Sequence, residues 1–306
     1  MVAARRRRGA PTRSGAYARG VPFLVSRVTT ADGTELLVRH WPARTEHLGS
    51  VLVVHGLGDH SGRFEHVGDR LAAEGFDVHA FDMRGNGGSG GRRGHVDRWS
   101  QLHDDLEERL SAVREAAVGR PVVLYGHSMG GLVALGYLLN DRAKPDLVVL
   151  TSPGLDSTLP GWKKAAARVL GRIIPTLPIP NGIDGSTLSR DPELAAKAAA
   201  DPATARVSTA RFGAEGLAEQ ARVRRDHAGL TLPTLVLHGL DDRLVPAVAS
   251  EVLARLPNVE RRTYPGLRHE LHNEPEGPAI LGEVIAWLRA RIEAQPNTAS
   301  GERPAR

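Results

Sequence analysis

Val122-Val123-Leu124-Tyr125-Gly126-His127-Ser128-Met129-Gly130-Gly131-Leu132-Val133-Ala134-Leu135 is the stretch on which the fold turns. A continuous β-type apolar run passes through Gly-x-Ser-x-Gly directly into a second apolar run of helical character. A buried strand followed at once by a helix is the βα unit of a parallel sheet. The sharp turn between them needs small neighbours, and it presents the Ser128 hydroxyl at the carboxyl end of the sheet, where α/β proteins place their ligands. Ser128 is therefore the candidate nucleophile.

The same grammar extends in both directions. Val51–Val54, Asp77–Phe81, Leu147–Leu150, Leu235–Leu237 and Arg261–Tyr264 read as further strands. Helical periods fall at about 64–74, 100–116, 129–140, 247–256 and 277–293. Upstream, Phe23–Val25 and Glu35–Trp41 flank Asp32-Gly33, a hairpin turn dipeptide. The sum is a doubly wound, mostly parallel sheet of about eight strands flanked by helices. One interval breaks the alternation, because more than 80 residues between Leu150 and Leu235 hold no buried-strand run. So long a connection implies structure of its own. Residues 155–228 are read as a helical insertion after the sixth strand, over a core of residues 21–154 and 229–294.

Within the insertion, Trp162, Ala166, Val169 and Ile173 share a helical face, and Pro175 to Pro180 stop that helix. Trp162, Val169, Leu170, Ile173, Ile174, Leu177 and Ile179 leave two readings open, an apolar inner wall that receives a substrate chain or a face that simply packs on the sheet. An amphipathic helix of this kind is also expected to touch a membrane surface transiently.

A serine hydroxyl needs a positioned imidazole, and the imidazole needs a carboxylate on its other nitrogen. His238-Gly239-Leu240-Asp241-Asp242 follows one late strand and Arg268-His269-Glu270-Leu271-His272 the last. The residues alone leave Asp241 and Asp242 open as the acid, and His269 and His272 open as the base. The oxyanion formed on attack needs preorganised N–H donors. Met129, after the nucleophile, offers one, and Leu57 in His55-Gly56-Leu57-Gly58 offers the other.

Two other patterns fail on context. Gly87-Gly88-Ser89-Gly90-Gly91 also satisfies Gly-x-Ser-x-Gly, and Gly85 to Gly90 satisfies the dinucleotide fingerprint, but no helix begins there to cradle a phosphate. His55, His60 and His66 lack the spacing and carboxylates of a zinc site, so structural roles are expected. No metal and no cofactor is expected.

Composition bounds the rest. The 306 residues carry 40 Lys+Arg, 35 Asp+Glu and no Cys, which rules out a disulfide framework and a thiol nucleophile. Six Arg and no acid fall in residues 1–20, so the remainder holds 34 basic against 35 acidic residues and is not basic. A disordered basic tail at 1–20, a second tail at 295–306, no nucleic-acid partner and a cytoplasmic location are the expectations. Subunit number is not written in the sequence.

The assembled motifs resemble the monoacylglycerol lipase branch of the serine α/β-hydrolases, which also includes serine aminopeptidases and lysophospholipase-like proteins. The resemblance runs from about Ala31 to Arg291, on His55–Phe64, Asp82-Met83-Arg84-Gly85, Gly126–Gly131, Leu188-Ser189-Arg190, Gly239–Val245 and Tyr264–His269. It departs at Asp59, where Glu is usual, at Asn86, where His is common, and in the arginine-rich tail. It implies the α/β-hydrolase fold, with a helical cap over the site. Asp242 becomes the acid, because it precedes an Arg and an aliphatic pair, and His269 the base. Leu57 and Met129 become the oxyanion donors. The activity it implies is hydrolysis of carboxylic esters, most of all monoacylglycerols. Short-chain carboxylesterase, lysophospholipase, serine aminopeptidase and a catalytically silent ligand-binding relative are the alternatives.

Overall fold

The computed structural model describes residues 23–294, and the tails expected at 1–20 and 295–306 lie outside them. Two strands, β1 (Leu24–Thr29) and β2 (Glu35–Trp41), form the hairpin closed by Gly33, whose φ of 87° suits the turn. There follow β3 (Gly49–Val54), α1 (Glu65–Ala73), β4 (Phe76–Phe81), α2 (Ser100–Ala116), β5 (Val122–His127), α3 (Met129–Leu138) and β6 (Leu147–Thr151). The insertion then supplies α4 (Gly161–Ile173), β7 (Pro178–Pro180), α5 (Gly185–Leu188), α6 (Pro192–Ala200), β8 (Val207–Thr209) and α7 (Ala210–Asp226). The core resumes with β9 (Thr234–Gly239), β10 (Val259–Tyr264) and α8 (Gly277–Glu293).

The main sheet has eight strands in the order β1-β2-β4-β3-β5-β6-β9-β10. It is parallel from β4 to β10, while β1 and β2 are antiparallel at one edge. Strands β3, β5, β6 and β9 are buried along their whole length, as their unbroken Val/Leu runs require. Alternate side chains feed two cores. Leu52, Val54, Leu124, Val148 and Val236 meet α2 and α3 on one face, whereas Val51, Val53, Tyr125, Val149 and Leu237 meet α1 and α8 on the other. Among the described residues, no helix is long and apolar enough to cross a membrane.

Two expectations are corrected. Residues 247–256 form two short 3-10 turns, Ala247–Ser250 and Leu253–Arg255, not an α-helix. The Ala247 carbonyl accepts from Ser250 Oγ at 3.0 Å and from Arg261 Nη2 at 2.8 Å, which displaces the amide that an α-helix would bring to it. The insertion is not helical throughout, since β7 and β8 pair as an antiparallel ribbon. Pro178 and Pro180 sit on a two-stranded edge, where a missing N–H is tolerated.

Candidate active site

Four loops at the carboxyl ends of β3, β5, β9 and β10 converge. Between β5 and α3, Ser128 takes φ 52° and ψ −118°. A non-glycine residue holds that conformation only when its surroundings impose it. Here the tightness of the turn does so. A Cβ on Gly130 would stand 2.2 Å from the Val54 carbonyl oxygen, and one on Gly126 would stand 2.8 Å from the Gly130 carbonyl oxygen. The α3 helix behind the turn is buried over its whole length, so the turn rests on packed core.

Ser128 Oγ lies 2.7 Å from His269 Nε2, and His269 Nδ1 lies 2.7 Å from Asp242 Oδ2. All three residues are buried. Because Nδ1 faces a carboxylate, it carries the hydrogen and leaves Nε2 to accept from the serine hydroxyl. Asp242 Oδ1 accepts the backbone N–H groups of Leu244 at 2.8 Å and Val245 at 2.9 Å. Burial alone pushes the Asp242 carboxyl up, but hydrogen bonds from His238 and His269 outweigh it and hold the group well below the usual carboxylate range. Asp241 is exposed, with its N–H on the Leu267 carbonyl at 2.9 Å. The one-residue difference separates a buried hydrogen-bonded acid from a solvent one.

Leu57 and Met129 line the same cavity as Ser128. A Cβ on Gly56 would touch Ser128 Cβ at 3.3 Å, so the loop after β3 lies directly against the serine. His55 fixes that loop, with Nδ1 donating to the Gly56 carbonyl at 2.8 Å and Nε2 accepting from the Met83 N–H at 2.9 Å. His60 contacts Asp201 at 2.9 Å, and His66 Nε2 donates to the His272 carbonyl at 3.0 Å. Ser89 Oγ accepts from the Leu37 N–H at 2.9 Å and donates to the Asp82 carbonyl at 2.5 Å, so it ties a loop to the hairpin.

Sequence reasoning missed two supports. His238, in β9, places Nε2 at 3.2 Å from Asp242 Oδ2 and 3.0 Å from the Val245 carbonyl. Both neighbours are acceptors, so Nε2 carries a hydrogen and steadies the carboxylate. Ser152, with φ 45°, donates from Oγ to the His269 carbonyl at 2.8 Å. The signal available was position, since each stands at or near the end of a core strand.

The cavity above Ser128 measures about 1030 Å³ and is lined by core and insertion together. Of the seven residues named from the sequence, Trp162, Leu170 and Ile179 line it, together with the unforeseen Ile183, Leu188 and Phe212. Val169, Ile173, Ile174 and Leu177 do not, which corrects the inner-wall reading at those four positions. Val169, Ile173 and Ile174 are exposed, and Leu177 is half-buried outside the cavity. The cause is Gly171. A Cβ there would stand 2.5 Å from Ala214 Cβ, so α4 seats its small side on α7 and turns the Val169–Ile173 stripe outward.

One end of the cavity is polar. Arg63 bridges Asp59 at 3.2 Å and Glu270 at 2.7 Å. Burial pushes the Glu270 carboxyl up, yet Arg63 brings it below its ordinary value. The insertion grips this loop, because the Glu270 N–H donates to the Leu188 carbonyl at 2.8 Å, Ser189 Oγ to the Asn273 carbonyl at 2.6 Å, and Arg190 Nε to Glu274 at 2.9 Å.

Behind the serine, His272 stacks on Phe64 at 4.6 Å and meets His127 edge-on at 5.0 Å. It is buried, neither ring nitrogen has a partner among the described residues, and Ser128 Oγ is hydrogen-bonded to His269 instead. Burial drives the pKa of His272 and of His127 well below 6.5. Such a group stays neutral when folded and takes up a proton only on unfolding, so stability is lost as pH falls below about 6.5. Each contributes a slope of up to about 1.4 kcal/mol per pH unit. His272→Phe is therefore expected to flatten the fall of Tm between about pH 6.5 and 5, read by thermal unfolding at stepped pH; an unchanged slope would mean that His272 is not neutral in the folded chain.

Residues 45–276 match the family described as serine aminopeptidase, S33. A monoacylglycerol lipase of Mycolicibacterium smegmatis is 34% identical over 273 residues, which span 85% of this chain and 95% of that one. Human monoglyceride lipase is 32% identical over 295 residues, spanning 92% and 93%. The crystal structure of Paleococcus ferrophilus monoacylglycerol lipase superposes with a TM-score of 0.76 at 30% identity, covering 83% of this chain and 98% of that one. With an eight-stranded, mostly parallel sheet and these relatives over most of its length, the chain belongs to the serine aminopeptidase, S33 family of α/β-hydrolases, alongside the monoacylglycerol lipases.

Proposed function

We propose that the chain is a serine hydrolase that splits monoacylglycerols into glycerol and fatty acid through an acyl-enzyme on Ser128. The observation that carries this reading is the Ser128–His269–Asp242 hydrogen-bonded series at the floor of a cavity of about 1030 Å³. His269 Nε2 takes the Ser128 proton as Oγ attacks the ester carbonyl, and Asp242 holds the imidazole in the tautomer that can receive it. The N–H groups of Leu57 and Met129 face the oxyanion. Glycerol departs with the proton from His269, and a water activated by His269 then frees the acid. No step calls for a cofactor.

In this reading residues 155–228 act as a cap over the core of residues 21–154 and 229–294. Leu170, Ile179, Ile183 and Leu188 offer an acyl wall, and Asp59, Arg63 and Glu270 offer hydrogen-bonding partners to glycerol hydroxyls. The exposed stripe of Trp162, Val169, Ile173 and Ile174, with Lys163 and Arg172 in the same helix, supports transient contact with a membrane surface. A cytoplasmic place of action completes the proposal, with cell fractionation as its check.

Hydrolysis of p-nitrophenyl esters from C2 to C16, followed by 1-monoacylglycerol of the best chain length, tests the whole. Turnover is expected to peak at medium or long chains with glycerol released. An optimum at C2 to C4 would make the chain a short-chain carboxylesterase, activity on aminoacyl amides alone would make it an aminopeptidase, and no turnover would leave a silent relative. Presented in vesicles, the same substrate should be split more slowly by Ile173→Asp than by the parent chain, with soluble esters unaffected; equal rates would remove the membrane contact.

A further inference from the structure

At the other end of the sheet, three side chains with metal-ligating atoms converge. His40 of β2 and His79 of β4 are register partners across the antiparallel seam, and their rings stack at 4.3 Å with planes 4° apart. Asp77, two residues before His79, projects from the same face of β4. Its Oδ1 lies 2.7 Å from His40 Nε2 and its Oδ2 lies 2.9 Å from His79 Nε2. The ligand atoms all fall within 4.8 Å of one another.

We propose that His40, Asp77 and His79 form a binding site for a divalent transition metal of the Zn²⁺ class. Two imidazole nitrogens and one carboxylate oxygen are a donor set that suits zinc, copper and nickel over magnesium or calcium. Ligand atoms around tetrahedral zinc stand about 3.3 Å apart, given Zn–N and Zn–O bonds near 2.0–2.2 Å. The two His–Asp pairs are a few tenths of an ångström closer than that and the stacked imidazoles stand 4.3 Å apart, so the rings must tilt toward one another to admit the ion. In the metal-free arrangement each Nε2 faces a carboxylate oxygen and carries a hydrogen. On binding, the metal takes the place of those hydrogens, which move to Nδ1 of a neutral ring or pass to solvent from a ring protonated on both nitrogens, and Asp77 keeps its negative charge beside the ion.

Access agrees with this. The side chains are 32%, 18% and 21% exposed for His40, Asp77 and His79, which leaves the fourth coordination position to water. The charged groups facing His79 are Asp77 and His40 of the site and Arg109 of α2, which in turn faces Glu108 and Asp105. The site lies near the amino end of β4, whereas Ser128 follows the carboxyl end of β5, so the ion has no part in ester cleavage. What it joins is the seam. Only four register pairs, from Val38–Phe81 to Trp41–Val78, attach β2 to β4, and a bound ion would cross-link the hairpin to the parallel sheet there.

The test is titration of the untagged full chain with ZnCl₂, by calorimetry and by thermal unfolding, with MgCl₂ as control. The expected result is one Zn²⁺ per chain with Kd below about 10 µM and a Tm rise of about 5 °C at a hundredfold excess over Kd. Magnesium should do neither, and ester hydrolysis should be unaffected at one equivalent. In His40→Gln and, separately, Asp77→Asn, each first checked for a parent-like melting curve without metal, both effects should vanish. Absence of stoichiometric binding in the parent chain would overturn the proposal. So would binding that survives in both variants, or zinc that inhibits hydrolysis at one equivalent, since these place the ion on surface groups or on His269.

Discussion

Ser128→Ala is expected to lower kcat/KM for the preferred monoacylglycerol by about 10⁴–10⁶-fold while leaving the fold intact. Removing Oγ deletes the atom that would form the acyl bond and leaves His269 Nε2, 2.7 Å away, without its partner. Residual rate above the uncatalysed reaction would come from the oxyanion donors and from binding alone. The backbone has no reason to move, because the turn is enforced by Gly126 and Gly130 against the Val54 carbonyl and α3 rather than by the serine side chain. The measurement is steady-state hydrolysis paired with a melting curve. A folded variant that turns over at the parental rate would exclude Ser128 as nucleophile.

Asp242→Asn is expected to cost about 10⁴-fold in kcat, with little change in KM. Oδ1 accepts two backbone N–H groups, so the asparagine must keep its carbonyl oxygen there and turn its amide nitrogen toward His269 and His238. An N–H donor opposite His269 Nδ1 selects the tautomer with hydrogen on Nε2, which cannot take the serine proton. A second effect concerns pH. The folded state holds the Asp242 carboxyl below its ordinary value of 3.8, so its contribution to stability is present above that value and is lost as pH falls through the folded-state pKa. The variant should therefore lose stability at neutral pH and show a shallower decline below about pH 4. Parental kcat at pH 8 would show that the carboxylate does not set the tautomer.

Ser128 and its turn were legible because their requirements are local. The strand, the helix and the glycines lie within fourteen residues, and sterics dictates each. The choice between Asp241 and Asp242 was not local, since it depends on which side chain the β9 loop turns toward His269. A Cβ on Gly239 would stand 2.3 Å from the Arg268 carbonyl oxygen, and this close approach of the two loops has no signature in either alone. The face of α4 that lines the cavity was not legible for a similar reason. Helix α4 carries apolar residues on two stripes, and Gly171, through a contact with α7 some forty residues downstream, decides which one is inward. The turns at 247–256 depend on Arg261, which takes the carbonyl that helical period alone assigns to the chain itself.

The hold of Leu188, Ser189 and Arg190 on residues 270–274 bears on how such enzymes diversify. A lid that rested on the core by side-chain packing alone would be an interchangeable part, and grafting another in its place would alter substrate preference and nothing else. Here the residue after His269 is anchored by a main-chain bond to the inserted segment, so any transplant of residues 155–228 also rebuilds the seat of the proposed base. On the roles proposed for this segment and for His269, selectivity and turnover are inherited together, and a productive chimera is expected to carry the partner loop along with the graft.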